Sequence, residues 1–149
     1  MVIKIPKRYY KFIKMLVQAK CVLTEEDAKK FLFEEGLSEA EFDATYGGAP
    51  DIMDMSVIRG RQITIEIPDK PEYLQRLECI SRAFGVSFSK ATTIIMILGL
   101  GNVGYLSLKG SQLYRKDKQF RREVDEMPHD VVYNVIQGES AVLEDIDQY

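Results

Sequence analysis

Apolar and polar residues alternate strictly from Gln62 to Ile67, where the sequence reads QITIEI. Alternation with a period of two predicts a β-strand that has one buried face and one exposed face. The isoleucines are β-branched, which favours a strand, and Pro68 ends it. We therefore expect Ile63, Ile65 and Ile67 to point towards a core, with the polar residues between them facing outwards.

Two helices are predicted after this strand. The apolar residues of the first recur at helical spacing, at Tyr73, Leu74, Leu77, Ile80 and Phe84. Gly85 suits the position just beyond a helix end, and Ser87 can cap the helix that follows. The apolar face of that second helix contains Ala91, Ile94, Ile95 and Leu98. Met96 and Ile97 extend it towards an apolar surface on all sides, which predicts a buried helix.

The first fifty residues are predicted to be helical. A first helix carries its apolar residues on one face, at Tyr9, Phe12, Ile13, Leu16 and Val17. A second helix is expected to begin at Thr24 and to stop near Gly36, and Ser38 with Glu41 predicts a short third helix. The chain then divides into a helical N-terminal extension (1–50), a linker (51–60), a strand-helix-helix module (61–104) and a C-terminal extension with an acidic tail (105–149).

The module, from about residue 61 to 100, resembles the ribbon-helix-helix (MetJ/Arc) family of DNA-binding repressors. The resemblance is carried by the alternating strand ITIEIP and by the turn FGVSFSK between the two helices. A single strand cannot satisfy its own backbone hydrogen bonds, and an all-round apolar helix cannot face water. Dimerisation solves both problems.

The expected fold class follows from this resemblance. It is mainly α, with one short β-strand per chain, and two copies form an intertwined homodimer through an antiparallel two-stranded ribbon. Such a ribbon is narrow enough to enter the major groove of DNA. The residues expected to form the dimer core are Ile63, Ile65, Ile67, Leu77, Ile94, Ile95 and Leu98.

The resemblance also implies which residues touch DNA. Those that would contact base edges from the ribbon are Gln62, Thr64 and Glu66. Those that would contact phosphates, either before the strand or at the start of the second helix, are Arg59, Arg61, Ser87, Phe88, Ser89 and Lys90. Glu66 brings negative charge to this face, where its best role is to accept a hydrogen bond from cytosine N4.

Composition limits the other function classes. Of the 149 residues, 46% are hydrophobic and 29% charged, the balance of a folded soluble protein. The two cysteines, Cys21 and Cys79, are far apart, and His129 is the single histidine. Neither a disulfide framework nor a metal site is expected, and no cofactor is. Charges interrupt the N-terminal apolar residues and the run from Ile94 to Leu98 is short, so we expect a cytoplasmic protein with no membrane segment.

Net charge is −3 with a pI of about 5.3, yet the charge is unevenly placed. The first twenty residues carry only basic charges, a strongly acidic stretch follows, and a second basic cluster surrounds Arg121. Because local fields can differ in sign from the average, the acidic pI does not exclude DNA binding.

One motif points to a different class of protein. The segment from Gly99 to Gly104 reads GLGNVG, a literal G-x-G-x-x-G dinucleotide-binding pattern. Too few residues follow it to complete a doubly wound sheet, so we interpret these glycines as the end of the second helix and the start of a turn. No nucleophile motif is present, and no enzyme activity is expected.

The sequence therefore predicts a homodimeric, sequence-specific DNA-binding transcriptional regulator of the repressor type. Its expected partners are double-stranded DNA and a second copy of itself, with a protein partner held by one of the extensions. The alternative is a protein–protein interaction factor that uses the module as a dimerisation core to bind a toxin, a polymerase subunit or a relaxosome component. Glu66, the acidic pI and the long extensions motivate this alternative, and the two functions can coexist.

Overall fold

Two strands from distant parts of the chain pair to form a small sheet, and two of the helices pack against its first strand. The computed structural model describes residues 1–47 and 60–127, which form a mainly helical protein with this two-stranded antiparallel sheet. The strands are β1 (Val2–Pro6) and β2 (Gln62–Glu66). The predicted residue Arg59, nearly all of the linker and the acidic tail with His129 lie outside the described residues.

Seven α-helices and two π-helical segments are present in the described ranges. The helices are α1 (Lys7–Gln18), α2 (Glu25–Phe42), α3 (Pro71–Phe84), α4 (Phe88–Gly99), α5 (Tyr105–Lys109), α6 (Gln112–Lys116) and α7 (Lys118–Asp125). The π-helical segments, Asp43–Gly47 and Leu100–Gly104, continue α2 and join α4 to α5. The predicted strand and the predicted helices around Tyr9, Tyr73 and Ile94 are confirmed, but Leu74 is 55% exposed.

The prediction of one strand per chain is wrong, because the N-terminal extension begins with β1. The strand that was expected to pair with its copy in a second molecule pairs with β1 instead, and Lys4 lies opposite Thr64. Alternation explains β1, since Ile3 and Ile5 are fully buried while Val2 and Lys4 are exposed. Each strand thus satisfies the backbone hydrogen bonds along one edge of the other within a single chain.

The order strand, helix, helix occurs twice along the chain. The first unit consists of β1, α1 and α2, and the second of β2, α3 and α4. The strand segments contain the matching patterns IKIP and IEIP. The second helices match at one constant spacing, which equates Thr24 with Ser87, Ala28 with Ala91 and Gly36 with Gly99. Both helices begin alike, since the hydroxyls of Thr24 and Ser87 each accept a hydrogen bond from a backbone amide three residues later.

The two units meet where α2 crosses α4. A Cβ atom added to Gly36 would lie 1.9 Å from the carbonyl oxygen of Ile95, and one added to Gly99 would lie 2.0 Å from that of Leu32. Each glycine therefore contacts the other helix at a carbonyl oxygen that lies one turn before that helix's own glycine. Such a reciprocal contact is what a two-fold relation between the units produces.

This crossing corrects three of the expectations drawn from the sequence. Gly36 does not end a helix, Ser38 does not start a new one, and the GLGNVG segment does not open a turn, because α2 and the helix from Phe88 to Lys109 both run through these positions. The glycines are inside helices because the close approach of two backbones leaves no room for a side chain. Gly85, by contrast, ends α3 with a left-handed φ of 67°, as predicted.

The central helix of the core is the apolar one, Phe88 to Lys109. The apolar run was expected to be too short to cross a membrane, but its helix has the length and composition to do so. Because 78% of its most apolar window is buried inside the protein, the apolar character is explained by the core. The residues expected to form a dimer core are buried within one chain, except for half-buried Ile63.

Polar contacts also join the two units on the side of α2 that faces α3. The Tyr73 hydroxyl donates to Glu34 at 2.7 Å, Lys70 lies 3.3 Å from the same carboxylate, and Arg76 pairs with Glu41. The hydrogen bond from Tyr73 and the Lys70 ammonium lower the pKa of Glu34 below its ordinary value. Glu34 is therefore anionic at neutral pH and links the units electrostatically.

Filling the crossing should destabilise the protein. We expect Gly36→Ala to reduce the free energy of unfolding by about 3 kcal/mol, the upper end of overpacking costs, because the obstacle is backbone and cannot rotate away. Gly110→Ala is the control, since a Cβ atom there lies 3.4 Å from the nearest atom, and it should change stability by less than about 1 kcal/mol. Urea unfolding followed by circular dichroism measures both. Equal effects of the two variants would contradict the close crossing.

A fold completed within one chain should not depend on protein concentration. We expect the midpoint of thermal unfolding to stay constant between about 1 and about 100 µM, because no second chain is needed to pair the strands or cover α4. Differential scanning fluorimetry over this range measures it. A midpoint that rises steadily with concentration would instead indicate the intertwined dimer expected from the sequence.

Candidate nucleic-acid interface

The ribbon formed by β1 and β2 has one apolar face and one polar face. Inward-facing Ile3 and Ile5 are fully buried, and Ile65 is 4% exposed. The outward positions form three cross-strand pairs, Val2 with Glu66, Lys4 with Thr64 and Pro6 with Gln62. All of these except Pro6 are exposed. The ribbon therefore presents a narrow, mostly polar surface, and its other face packs against the core.

The three residues predicted to contact bases lie together on this surface. Gln62, Thr64 and Glu66 are exposed and occupy alternate positions of β2, as the sequence pattern requires. The sequence did not predict the residues that β1 adds beside them, Val2 and Lys4. Lys4 is the more informative chemically, because it places a cation at a position directly opposite Thr64.

The signal that could have found β1 is the repeated strand pattern. IKIP near the N-terminus matches IEIP in the predicted strand, and a tyrosine in the following helix is buried in both units, at Tyr9 and Tyr73. Taken alone, the first segment is too short and too charged to distinguish a strand from the start of the basic helix. Comparing the two segments indicates that the N-terminal segment is also a strand.

The start of α4 lies against the ribbon. The side chain of Thr93, in the second turn of α4, donates a hydrogen bond of 2.7 Å to the backbone carbonyl oxygen of Lys4. Ser87, Phe88 and Ser89 are exposed and Lys90 is half-buried, so the predicted phosphate-contacting group is accessible at this helix end. The Ser87 hydroxyl accepts from the Lys90 amide. The amides of Phe88 and Ser89 lie in the first turn of α4, where no carbonyl of the helix can accept from them, and they can donate to an anion.

Basic residues surround one end of the ribbon. The Lys7 amide donates to the Arg61 carbonyl oxygen at 2.8 Å, which places these two residues side by side beyond the pair of Pro6 and Gln62. The side chains of Lys7, Arg8 and Arg61 are exposed. Arg61 was predicted as a phosphate contact, and the structure adds the two basic residues of α1 next to it.

The other end of the ribbon is acidic. Glu66 is exposed beside Val2, and the exposed carboxylate of Asp69 follows a few residues later, 3.1 Å from the N-terminal ammonium of Met1. The two ends of the ribbon thus differ in charge, with Lys7 and Arg61 at one end and Glu66 at the other, where the Met1 ammonium pairs with Asp69.

Other kinds of site find little support in the described parts of the chain. Within residues 1–47 and 60–127, no group of three or more His, Cys, Asp or Glu side chains could hold a metal ion. Two shallow depressions are lined mainly by charged and polar side chains, one between α1 and α6 and one along α3 beside Glu41. The GLGNVG segment, buried in the core except for half-buried Val103, presents no phosphate-binding loop.

Comparisons with protein-family profiles, curated proteins and solved structures find no match to this chain. Function is therefore inferred from the geometry of the ribbon and its surroundings.

Proposed function

We propose that this protein binds a specific sequence of double-stranded DNA through its two-stranded ribbon, and that it acts as a transcriptional regulator of the repressor type. One observation carries the proposal: the ribbon presents Lys4, Gln62, Thr64 and Glu66 on a single exposed face beside the accessible start of α4. The proposal makes the chain a ribbon-helix-helix protein in which both strand-helix-helix units belong to one molecule.

The dimensions of the ribbon suit the major groove. Five residues per strand give a length of about 17 Å, and two strands lie about 5 Å apart. The major groove of B-DNA is about 12 Å wide, which admits a two-stranded ribbon with its outward side chains. The apolar face stays in the core, so the fold does not change when DNA binds.

The exposed side chains can read base edges. Lys4 can donate to O6 and N7 of guanine, and Gln62 can pair bidentately with adenine. Thr64 can hydrogen-bond a base or contact a thymine methyl group, and Glu66 can accept from cytosine N4. These are the contacts that would give sequence choice.

Phosphate contacts would fix the position of the ribbon in the groove. At the start of α4, the Phe88 and Ser89 amides, the positive end of the helix dipole and the Lys90 charge converge. Lys7, Arg8 and Arg61 add cationic charge at one end of the ribbon. Such contacts supply affinity but little sequence information.

A homodimer is not required for this function, because one chain supplies both strands. The alternative of a protein–protein interaction factor treated the module as a dimerisation core, whereas here that core is completed within one chain. No contact among the described residues specifically favours the alternative, so DNA binding is the function that we propose.

Two variants with different expected effects test the ribbon: one should lower affinity for the preferred duplex, and the other should lower affinity for all sequences. In Lys4→Ala/Thr64→Ala we expect affinity for the preferred duplex to fall about tenfold while affinity for random DNA changes little, because base contacts are lost. In Lys90→Ala we expect a weaker affinity for all sequences and a salt dependence shallower by about one unit of log–log slope, because one phosphate contact is lost. Fluorescence anisotropy with a duplex selected from a random pool measures both.

Lys118→Ala is the matched control for these variants. Lys118 is an exposed lysine at the start of α7, a helix that packs against α5 and α6 and not against the ribbon. Its removal should leave affinity within about twofold of the parent. Unchanged affinity in all three variants would rule out the proposed interface.

A further inference from the structure

We infer that the DNA sequence bound by this protein is non-palindromic and that one copy of the chain occupies it. This inference rests on the proposed function and specifies its target. A homodimeric ribbon has two identical ends, so it reads an inverted repeat. The ribbon of this chain is built from two different strands, and its ends differ.

The difference is sharpest at positions that the repeat makes equivalent. The patterns IKIP and IEIP equate Lys4 with Glu66, and the residues before them equate Val2 with Thr64. The observed register agrees with this equivalence. Replacing Lys4 by its equivalent Glu66, and Thr64 by its equivalent Val2, turns one observed cross-strand pair into the other. Equivalent outward positions therefore carry opposite charges.

Opposite charges select different base edges. An ammonium group donates to guanine O6 and N7, whereas a carboxylate accepts from the amino group of cytosine. The preferred bases of the two half-sites are therefore expected to differ. The surroundings reinforce this, since Lys7 and Arg61 flank one end of the ribbon and Asp69 the other.

The equivalent starts of α2 and α4 also differ. Thr24 and Ser87 cap their helices identically, but the first turn of α2 carries Glu25, Glu26 and Asp27 where that of α4 carries Phe88, Ser89 and Lys90. The first of these turns repels a phosphate that the second attracts. The affinity supplied by backbone contacts is therefore expected on one side of the groove only.

The experiment selects duplexes from a random pool with the full chain and with a variant whose ribbon is made symmetric. Val2→Thr/Glu66→Lys gives both strands the same outward residues at the equivalent positions, and both original residues are exposed, so the fold should be retained. We expect the parent to enrich a motif without inverted symmetry. We expect the variant to enrich a motif in which the base pairs beneath these four equivalent positions form an inverted repeat, while the base contacted by Gln62 stays unmatched. The variant should bind the parent's site at least about tenfold more weakly.

Two further measurements complete the test. Native mass spectrometry of the parent with its selected duplex should show one chain per site. Glu35→Lys makes the same change of charge at an exposed position of α2, a helix whose main contacts are with α4 and α1, and it should select the parent's motif.

Each other outcome overturns a defined statement. An inverted repeat enriched by the parent, two chains on one site, or a symmetric variant that keeps the parent's motif would overturn the asymmetric site while leaving DNA binding intact. Loss of all retention, or retention without a motif, would overturn the proposed function itself, and the inference with it.

Discussion

The crossing of α2 over α4 is the constraint on which the rest of the structure depends. Gly36 and Gly99 let the two helix backbones touch, and each faces a carbonyl oxygen one turn before the other. That contact fixes the two strand-helix-helix units around an approximate two-fold relation. It therefore sets the antiparallel pairing of β1 with β2 and buries the apolar helix from both sides. A side chain at either glycine would push apart the elements that hold the ribbon.

Because both units belong to one chain, the two ends of the ribbon can carry different residues. In a homodimer, every substitution on the outward face appears twice, so a charge useful at one end is imposed on the other. Here Lys4 and Glu66 occupy equivalent places with opposite charges, and the first turns of α2 and α4 differ likewise. The inward residues are alike, and Ile3 and Ile65 both fit one core. The repeat is therefore visible in the core residues but not in the outward residues.

The helices of both units could be predicted from sequence, whereas β1 and the crossing of α2 over α4 could not, for physical reasons. Alternation across QITIEI, the left-handed Gly85 and the capping Ser87 are local signals, and the structure confirms each. Pairing of Lys4 with Thr64 is a contact between distant parts of the chain, so nothing near either residue encodes it. Gly36 and Gly99 were misassigned because the absence of a side chain serves equally well at a helix end and at a close crossing. Only the partner helix decides between these uses.

The acidic net charge is compatible with the proposed function. Non-specific attraction to DNA is supplied by phosphate contacts and grows with each cation that reaches the backbone. A net charge of −3, with acidic residues on α2 and basic residues gathered near Lys7 and Arg61, limits that attraction to one orientation of the ribbon. A protein of this kind would spend less time on random sequence, and its occupancy of a site would depend on base contacts. Sequence choice then follows from the few side chains that β1 and β2 present outwards.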